Sequence, residues 1–199
     1  IYECRAALAM VGIASPDERL EAYPHQLSGG MRQRVAIAIA LLNKPDVIIA
    51  DEPTTALDVT IQGQILAEIQ KICRQTRTAV IWITHDLSVV SSLADHISVM
   101  YAGKIVEQGT SAEVLGNPAH PYTRGLIRSV PAFNPPHQAL YQIPGMAPAL
   151  SQLTSGCAFL PRCERSSAQC ASSPQVTSIS THHLMRCFHP YREPLELVV

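Results

Sequence analysis

The sequence predicts an α/β fold, in which helices pack on a parallel sheet, followed by a small, irregular, cysteine-rich C-terminal extension. Two short apolar runs, at residues 47–50 and 78–84, have the continuous hydrophobicity of buried parallel strands. Between them, isoleucines recur at the spacing of one helix face: Ile61, Ile65, Ile69 and Ile72. The composition then changes, because residues 116–199 hold 11 of the 15 prolines and four of the six cysteines.

The N-terminal residues predict two helices that lead into a glycine-rich turn. Residues 3–13 are apolar at helical spacing, and Pro16 stands in the first turn of a second helix. Ser28 then suits a helix N-cap, with Gly29 and Gly30 directly after it. Without side chains, these glycines let an anion approach unpaired N–H groups at the positive end of the helix dipole. The turn is a candidate phosphate-binding site, although an isolated Ser-Gly-Gly is more often an ordinary helix start.

Two carboxylates follow the first predicted strand. Residues 31–42 predict an apolar helix buried against the sheet, and Pro45 ends it before the strand begins. The strand delivers Asp51 and Glu52 to its carboxyl end, where ligands of open α/β sheets bind. One carboxylate there can hold a hydrated Mg²⁺ while the next orients or deprotonates a water. The alternative for an isolated Asp-Glu pair is a solvated turn.

The second strand delivers a histidine to the same edge of the sheet. Asp58 is a plausible cap for a helix over residues 59–74, whose isoleucine stripe we interpret as core. The strand at 78–84 then places His85 at its carboxyl end.

A hairpin and two short helices are predicted next. Asp86 can cap a helix over residues 87–93, and residues 97–101 and 104–107 predict a hairpin. A capping box at residues 110–113 opens one further helix.

Four of these stretches stand in the order of the motifs of ATP-binding cassette (ABC) ATPases, which the chain resembles. Residues 27–34 are similar to the signature motif, 47–52 to the Walker B motif, 55–58 to the D-loop, and 84–86 to the switch-histidine loop. The resemblance implies a P-loop NTPase-type fold, with residues 1–118 as the helical subdomain and the C-terminal part of the sheet core. It also implies ATP and Mg²⁺ as ligands.

The resemblance further implies a sandwich dimer with composite sites. Ser28, Gly29 and Gly30 are expected to bind the γ-phosphate of ATP held by a second, homologous or identical ATPase subunit. Asp58 is expected to lie across the dimer interface and to couple the two sites.

The remaining roles implied by the resemblance concern hydrolysis. Asp51 is expected to hold Mg²⁺ through water, and Glu52 to be the general base for the attacking water. His85 is expected to contact the γ-phosphate and align that water. Arg32 and Arg34 receive no chemical role from the sequence.

No phosphate-cradling Gly-x-x-x-x-Gly-Lys-Ser/Thr loop occurs in the sequence. We therefore expect the chain to begin mid-protein, to represent the C-terminal half to two-thirds of a subunit, and to be inactive alone. No apolar run reaches the roughly 18–20 residues that span a bilayer. A net charge of −1 gives no indication of nucleic-acid binding.

The C-terminal extension contains a candidate metal site. Its cysteines, spaced C-x5-C-x6-C-x16-C, are Cys157, Cys163, Cys170 and Cys187. Disulfides are disfavoured because an ATPase of this kind faces the reducing cytosol. A zinc site is not favoured because the closely spaced C-x2-4-C pairs of such sites are absent from the sequence. Four thiolates in a segment with little core also suit a [4Fe–4S] cluster.

The extension resembles that of oligopeptide, dipeptide and nickel importer ATPase subunits at residues 120–126, 143–145 and 156–163. This resemblance implies a [4Fe–4S] cluster at the four cysteines, with Zn²⁺ as the alternative. We assign residues 119–156 to a Pro-rich linker and 157–199 to the cysteine-rich module.

The implied function is ATP hydrolysis that powers peptide uptake by a bacterial ABC importer. The expected partners are a second ATPase subunit, two transmembrane permease subunits and, indirectly, a periplasmic or extracellular solute-binding protein. The expected location is the cytoplasmic face of the inner membrane. The alternatives are import of nickel or another small solute and, less favoured, a soluble ABC protein outside transport.

Overall fold

The structure is a computed structural model that describes residues 1–55, 58–134, 139–149, 151, 153 and 155–195. The chain divides into two compact units, residues 1–86 (unit 1) and 87–199 (unit 2), which we describe separately. Among the described helices, none combines the length and apolarity needed to cross a membrane.

Unit 1 places helices beside a short parallel sheet. Its strands pair in parallel from Val47 opposite Ala79 to Asp51 opposite Ile83. Its described elements are α1 (Tyr2–Met10), α2 (Pro16–Leu20), a 3₁₀ turn (Pro24–Gln26), α3 (Gly29–Leu41), β1 (Val47–Asp51), α4 (Val59–Thr76) and β2 (Ala79–Ile83).

Two predicted helix caps in unit 1 are confirmed. The Oγ atom of Ser28 accepts a hydrogen bond from the Met31 N–H at 3.2 Å, which caps α3. Asp58 Oδ1 accepts the Ile61 N–H at 2.9 Å and caps α4 in the same way. Each cap satisfies a backbone donor that the helix itself leaves unpaired.

The predicted burial of the two strands is wrong for one face of the sheet. Val47 and Ile49 of β1 are 51% and 67% exposed, and Ile81 of β2 is 53% exposed. This face of the two-stranded sheet therefore has no covering layer among the described residues. The predicted burial of helix α3, which precedes β1, is also only partly right, because Ile39 is exposed. The core lies instead between the helices, at Ala7, Leu8, Val11, Ile13, Ala38, Leu41 and Ile72.

Unit 2 is built on an antiparallel sheet. Its described strands are β3 (His96–Tyr101), β4 (Lys104–Thr110), β5 (Thr177–Ser178) and β6 (Leu184–Met185). They lie in the order β3-β4-β6-β5. Its described helices are α5 (Leu87–Leu93), α6 (Ser111–Gly116), α7 (Pro121–Arg128) and 3₁₀ turns at Pro131–Phe133, Leu160–Arg162 and Ala168–Ala171. Its core is formed by Ile97, Val99, Tyr101, Val106, Val114 and Phe159.

The predicted hairpin and capping box of unit 2 are confirmed. Ala102 and Gly103 link β3 and β4 with φ angles of 48° and 79°, the left-handed backbone that two-residue hairpin turns require. Thr110 accepts the Glu113 N–H, and Glu113 accepts the Thr110 N–H in return.

Three features of unit 2 were not predicted. Helix α7 lies in the stretch that the sequence assigned to a linker. Strand β6, from the cysteine-rich segment, pairs with β4. Phe159 from the same segment enters the core of unit 2. The division at residue 86 also differs from the sequence-based boundaries at 118 and 156, which remain a prediction.

Candidate active site

The parallel pairing of β1 and β2 brings the predicted acidic and histidine residues to one edge of the sheet. Asp51 is the last residue of β1 and lies opposite Ile83, the last residue of β2. The Glu52 N–H donates to the Ile83 carbonyl at 2.9 Å, so pairing continues one residue beyond the strand. Because His85 follows Ile83 by two residues, its side chain reaches the Glu52 carboxylate.

Glu52 and His85 form a close pair. Nδ1 of His85 lies 2.7 Å from Oε1 of Glu52, and the His85 backbone N–H donates to the same oxygen at 3.2 Å. A carboxylate oxygen can only accept, so Nδ1 carries the proton of this contact. The opposite nitrogen, Nε2, belongs to a largely exposed side chain and remains available to a ligand.

The pair shifts the pKa of each partner towards its charged form. The pKa of the Glu52 carboxyl lies below its ordinary value, chiefly because His85 donates to it and further because Thr55 does. The pKa of His85 is raised, first by the hydrogen bond to Glu52 and then by the carboxylate's negative charge. Both side chains face solvent, so this interaction is weaker than it would be in a dry interior.

The backbone at Glu52 is unusual. Its φ angle of 46° lies in the left-handed region, which costs a non-glycine residue about 1–2 kcal/mol. Such conformations concentrate at functional sites, where the surrounding structure compensates the strain. Here the left-handed backbone at Glu52 directs its side chain towards His85.

The turn that resembles the signature motif leads into α3, and its residues Ser28 and Gly29 are exposed. Ser28 caps the helix, Gly29 and Gly30 form its first turn, and Arg32 Nη1 donates to the Leu27 carbonyl at 2.9 Å. Arg32 therefore stabilises the turn through this hydrogen bond, a role that the sequence did not indicate.

Gly30 also has a packing role that the sequence did not predict. A Cβ atom at Gly30 would lie 2.7 Å from Cγ2 of Ile61, so the glycine permits the close approach of α3 and α4. Arg34, likewise unassigned by the sequence, donates to the Val11 carbonyl at 2.6 Å and ties α3 to the end of α1.

The structure brings together only some of the predicted site residues. Asp51, Glu52 and His85 meet at the sheet edge, whereas no contact of Ser28 with Glu52 or His85 is found among the described residues. Asp58 caps α4; the middle of the predicted D-loop, residues 56 and 57, lies outside the described residues.

A groove of about 270 Å³ lies between helices α3 and α4 and the sheet face that carries Ile48 and Trp82. Its walls are mostly apolar, and it reaches Asp51 and Glu52.

The four predicted cysteine ligands lie in one region of unit 2. The Cys157 N–H donates to the Cys170 carbonyl at 3.0 Å. The pKa of Cys187 is raised to about 11, chiefly by burial and to a smaller extent by the thiols of Cys163, Cys157 and Cys170. These mutual effects place the thiols near one another, yet within the described ranges no three metal-binding side chains are arranged around a common position.

Two histidines near these cysteines are engaged elsewhere. Nε2 of His183 lies 2.7 Å from Oε1 of Glu107, and Nε2 of His189 lies 2.7 Å from Oγ of Ser167. The cysteines are therefore the better candidates for any ligand in this segment.

Both units of the chain contain a segment that matches a known protein family. The sequence profile of the ABC transporter family matches residues 2–55, and that of the oligopeptide/dipeptide transporter C-terminal region matches residues 106–170. A putative peptide import ATP-binding protein of Brucella ovis is 49% identical over 187 residues, which cover 90% of this chain and 55% of that protein.

Two further relatives carry similar names. The dipeptide transport ATP-binding protein DppD of Bacillus subtilis is 49% identical over 94% of the chain and 56% of its own length. The oligopeptide transport ATP-binding protein OppD of Escherichia coli is 46% identical over 89% of the chain and 53% of its own length. The chain spans about half the length of these relatives.

Proposed function

Because the chain belongs to the ATP-binding proteins of the ABC transporter family, we propose that it forms part of the ATPase subunit of a bacterial peptide importer. The observation that carries this proposal is the Glu52–His85 pair at the carboxyl ends of two parallel strands. A carboxylate in this position can accept a proton from a water, and the imidazole beside it can contact an anion.

Glu52 is the general base for the attacking water. Its Oε1 atom already accepts two hydrogen bonds from His85, so Oε2 receives the water proton. His85 orients the carboxylate through Nδ1 and contacts the γ-phosphate through Nε2. Asp51 holds Mg²⁺ through water, and the ion when bound neutralises charge on the phosphates.

The other half of the reaction centre is composite. Ser28, Gly29 and Gly30 grip the γ-phosphate of ATP held by the partner subunit, and Asp58 lies at the dimer interface. A phosphate-binding loop must complete each site, since this sequence contains none. The 199 residues alone are therefore expected not to hydrolyse ATP. Closure that depends on ATP couples hydrolysis to mechanical work.

The cargo is a peptide. The match of residues 106–170 to the oligopeptide/dipeptide transporter region and the names of the three relatives support this choice, and no observation favours nickel. The partners are a second ATPase subunit, two transmembrane permeases and, indirectly, a solute-binding protein. The subunit lies at the cytoplasmic face of the bacterial inner membrane.

The test uses a full-length cassette subunit that contains this sequence and a phosphate-binding loop, reconstituted with its permeases in vesicles. Glu52→Gln is expected to bind ATP and dimerise while its turnover falls at least about a hundredfold. Glu18→Gln, at an exposed position of α2, serves as the control and is expected to retain wild-type turnover. Wild-type turnover in Glu52→Gln contradicts the base role, and copurification with nucleic acid rather than permease contradicts the transport role.

For the cysteine-rich segment the proposed ligand is a [4Fe–4S] cluster bound by Cys157, Cys163, Cys170 and Cys187. Supporting it are the effects of these thiols on the pKa of Cys163 and Cys187, and the engagement of His183 and His189 by Glu107 and Ser167. The cluster when bound supplies positive charge that keeps the thiols deprotonated. Its role is structural, because it ties together a segment with little apolar core.

Metal and sulfide analysis of anaerobically purified protein tests this proposal. About four iron and four sulfide per chain, with a broad visible band that bleaches on reduction, are expected. Cys170→Ser should abolish the band. Cys73→Ser, a control on α4 that is distant in sequence from the four proposed ligands, should retain it. One zinc without colour favours a plain structural zinc site, and no metal contradicts the cysteine assignment.

A further inference from the structure

Thr55 closes a tight turn around the proposed base. The Thr55 N–H donates to the Glu52 carbonyl at 3.2 Å, which forms a four-residue turn through Pro53. The Thr55 hydroxyl also donates to Oε2 of the Glu52 carboxylate at 3.0 Å. The same residue therefore fixes both the backbone and the side chain of Glu52.

The two oxygens of Glu52 are used differently. Oε1 accepts the Nδ1–H and the backbone N–H of His85, which occupies both of its lone pairs. Oε2 accepts only the Thr55 hydroxyl among the described residues, so one lone pair remains open. This oxygen alone can take a proton without loss of the His85 contact.

We propose that Thr55 is a positioning residue that holds Oε2 of Glu52 in the orientation that receives the proton of the attacking water. This inference rests on the proposed function. As the water oxygen attacks the γ-phosphorus, one proton of the water moves to the open lone pair of Oε2. The bond between the γ-phosphorus and the β–γ bridging oxygen breaks, and ADP leaves with that oxygen. The Thr55 hydroxyl keeps donating to the other lone pair, so it neither gains nor loses a proton.

Steady-state turnover of the full-length reconstituted subunit tests the role of Thr55. Thr55→Val is expected to lower kcat about five- to tenfold and to leave the KM for ATP unchanged. Thr55→Ser, which keeps the hydroxyl, is expected to restore kcat. Thr60→Val, a matched change at an exposed position of α4, is the control and should behave as wild type.

Three results overturn the inference. They are an unchanged kcat in Thr55→Val, equal losses of kcat in Thr55→Val and Thr55→Ser, and a rise in the KM for ATP in place of a fall in kcat. In the Glu52→Gln background, Thr55→Val should cause no further loss, because the hydrogen bond acts only through Glu52. An inactive wild-type subunit contradicts the proposed function itself, whereas an active wild type with unaltered Thr55→Val contradicts only the role of Thr55.

Discussion

Glu107 and His183, separated by 76 residues in the sequence, meet inside unit 2 with 2.7 Å between Oε1 and Nε2. Glu107 is 0% exposed and His183 is 3% exposed. The same carboxylate accepts the backbone N–H groups of Ala119 and His120, at 2.7 and 2.9 Å. A single side chain of β4 therefore anchors the start of α7 and the turn before β6.

Loss of Glu107 should strongly destabilise unit 2. Glu107→Ala leaves two backbone donors and a buried imidazole without an acceptor, and we expect a loss of about 3–5 kcal/mol of unfolding free energy. Glu107→Gln, which keeps one acceptor oxygen, should cost less. Denaturant unfolding followed by circular dichroism measures both, and Glu193→Ala, at an exposed position, should remain within about 0.5 kcal/mol of wild type. A loss no larger than that of Glu193→Ala contradicts the anchoring role.

His120 should make stability depend on pH. Burial lowers the pKa of His120 to about 4, and its Nδ1 accepts the Tyr122 N–H at the start of α7. Because the folded-state pKa lies below the ordinary value of 6.5, this contribution is present above pH 6.5 and is lost as the pH falls towards 4. The expected loss from this residue is about 3 kcal/mol.

The comparison with His120→Asn isolates this contribution. Asparagine keeps a capping acceptor but does not titrate in this range. Denaturant unfolding at pH 7 and pH 4 should therefore show a smaller decrease for the variant than for wild type. Equal decreases would show that His120 does not determine the acid sensitivity.

The Glu52–His85 pair should be visible in the titration of its imidazole. Glu52→Gln removes the charge and the strongest acceptor, so the pKa of His85 should fall towards its ordinary value. Nuclear magnetic resonance of the imidazole nitrogens measures this, with Glu18→Gln as the unchanged control. The pair's small contribution to stability is lost as pH falls through the lowered pKa of Glu52, or rises through the raised pKa of His85. An identical His85 titration in Glu52→Gln would rule out the contact.

Ser28 combines a structural and a proposed ligand role that two substitutions can separate. Ser28→Ala removes the cap of α3 and should cost about 1 kcal/mol of unfolding free energy. Ser28→Asp keeps a capping oxygen but adds a negative charge, so it should retain stability and lose ATP-dependent dimerisation. Thermal unfolding and light scattering with ATP, both on the full-length subunit in the Glu52→Gln background, provide the two readouts. Ser28→Asn is the neutral capping control, and ATP-dependent dimers of Ser28→Asp would contradict phosphate binding at this turn.

Short-range features were predictable because their partners lie within one turn of chain. Ser28 and Asp58 each cap a helix through the N–H three residues later, and Thr110 and Glu113 satisfy one another. The contact of Glu52 with Thr55 also spans three residues, but the sequence did not predict it, because it depends on the left-handed backbone at Glu52.

The sequence by itself determined most helices and strands of residues 1–118, several of their caps and turns, and the residues delivered to the ends of the two parallel strands. Hydrophobic runs, helical spacing, capping and turn chemistry are local, so the physical forces that produce them can be read from neighbouring residues. Only the tertiary structure decided that Glu107 meets His183, that β6 pairs with β4, and that one face of the unit 1 sheet is uncovered. These features depend on the burial of apolar and polar groups across long chain separations, and a one-dimensional pattern does not specify which distant partner satisfies a group.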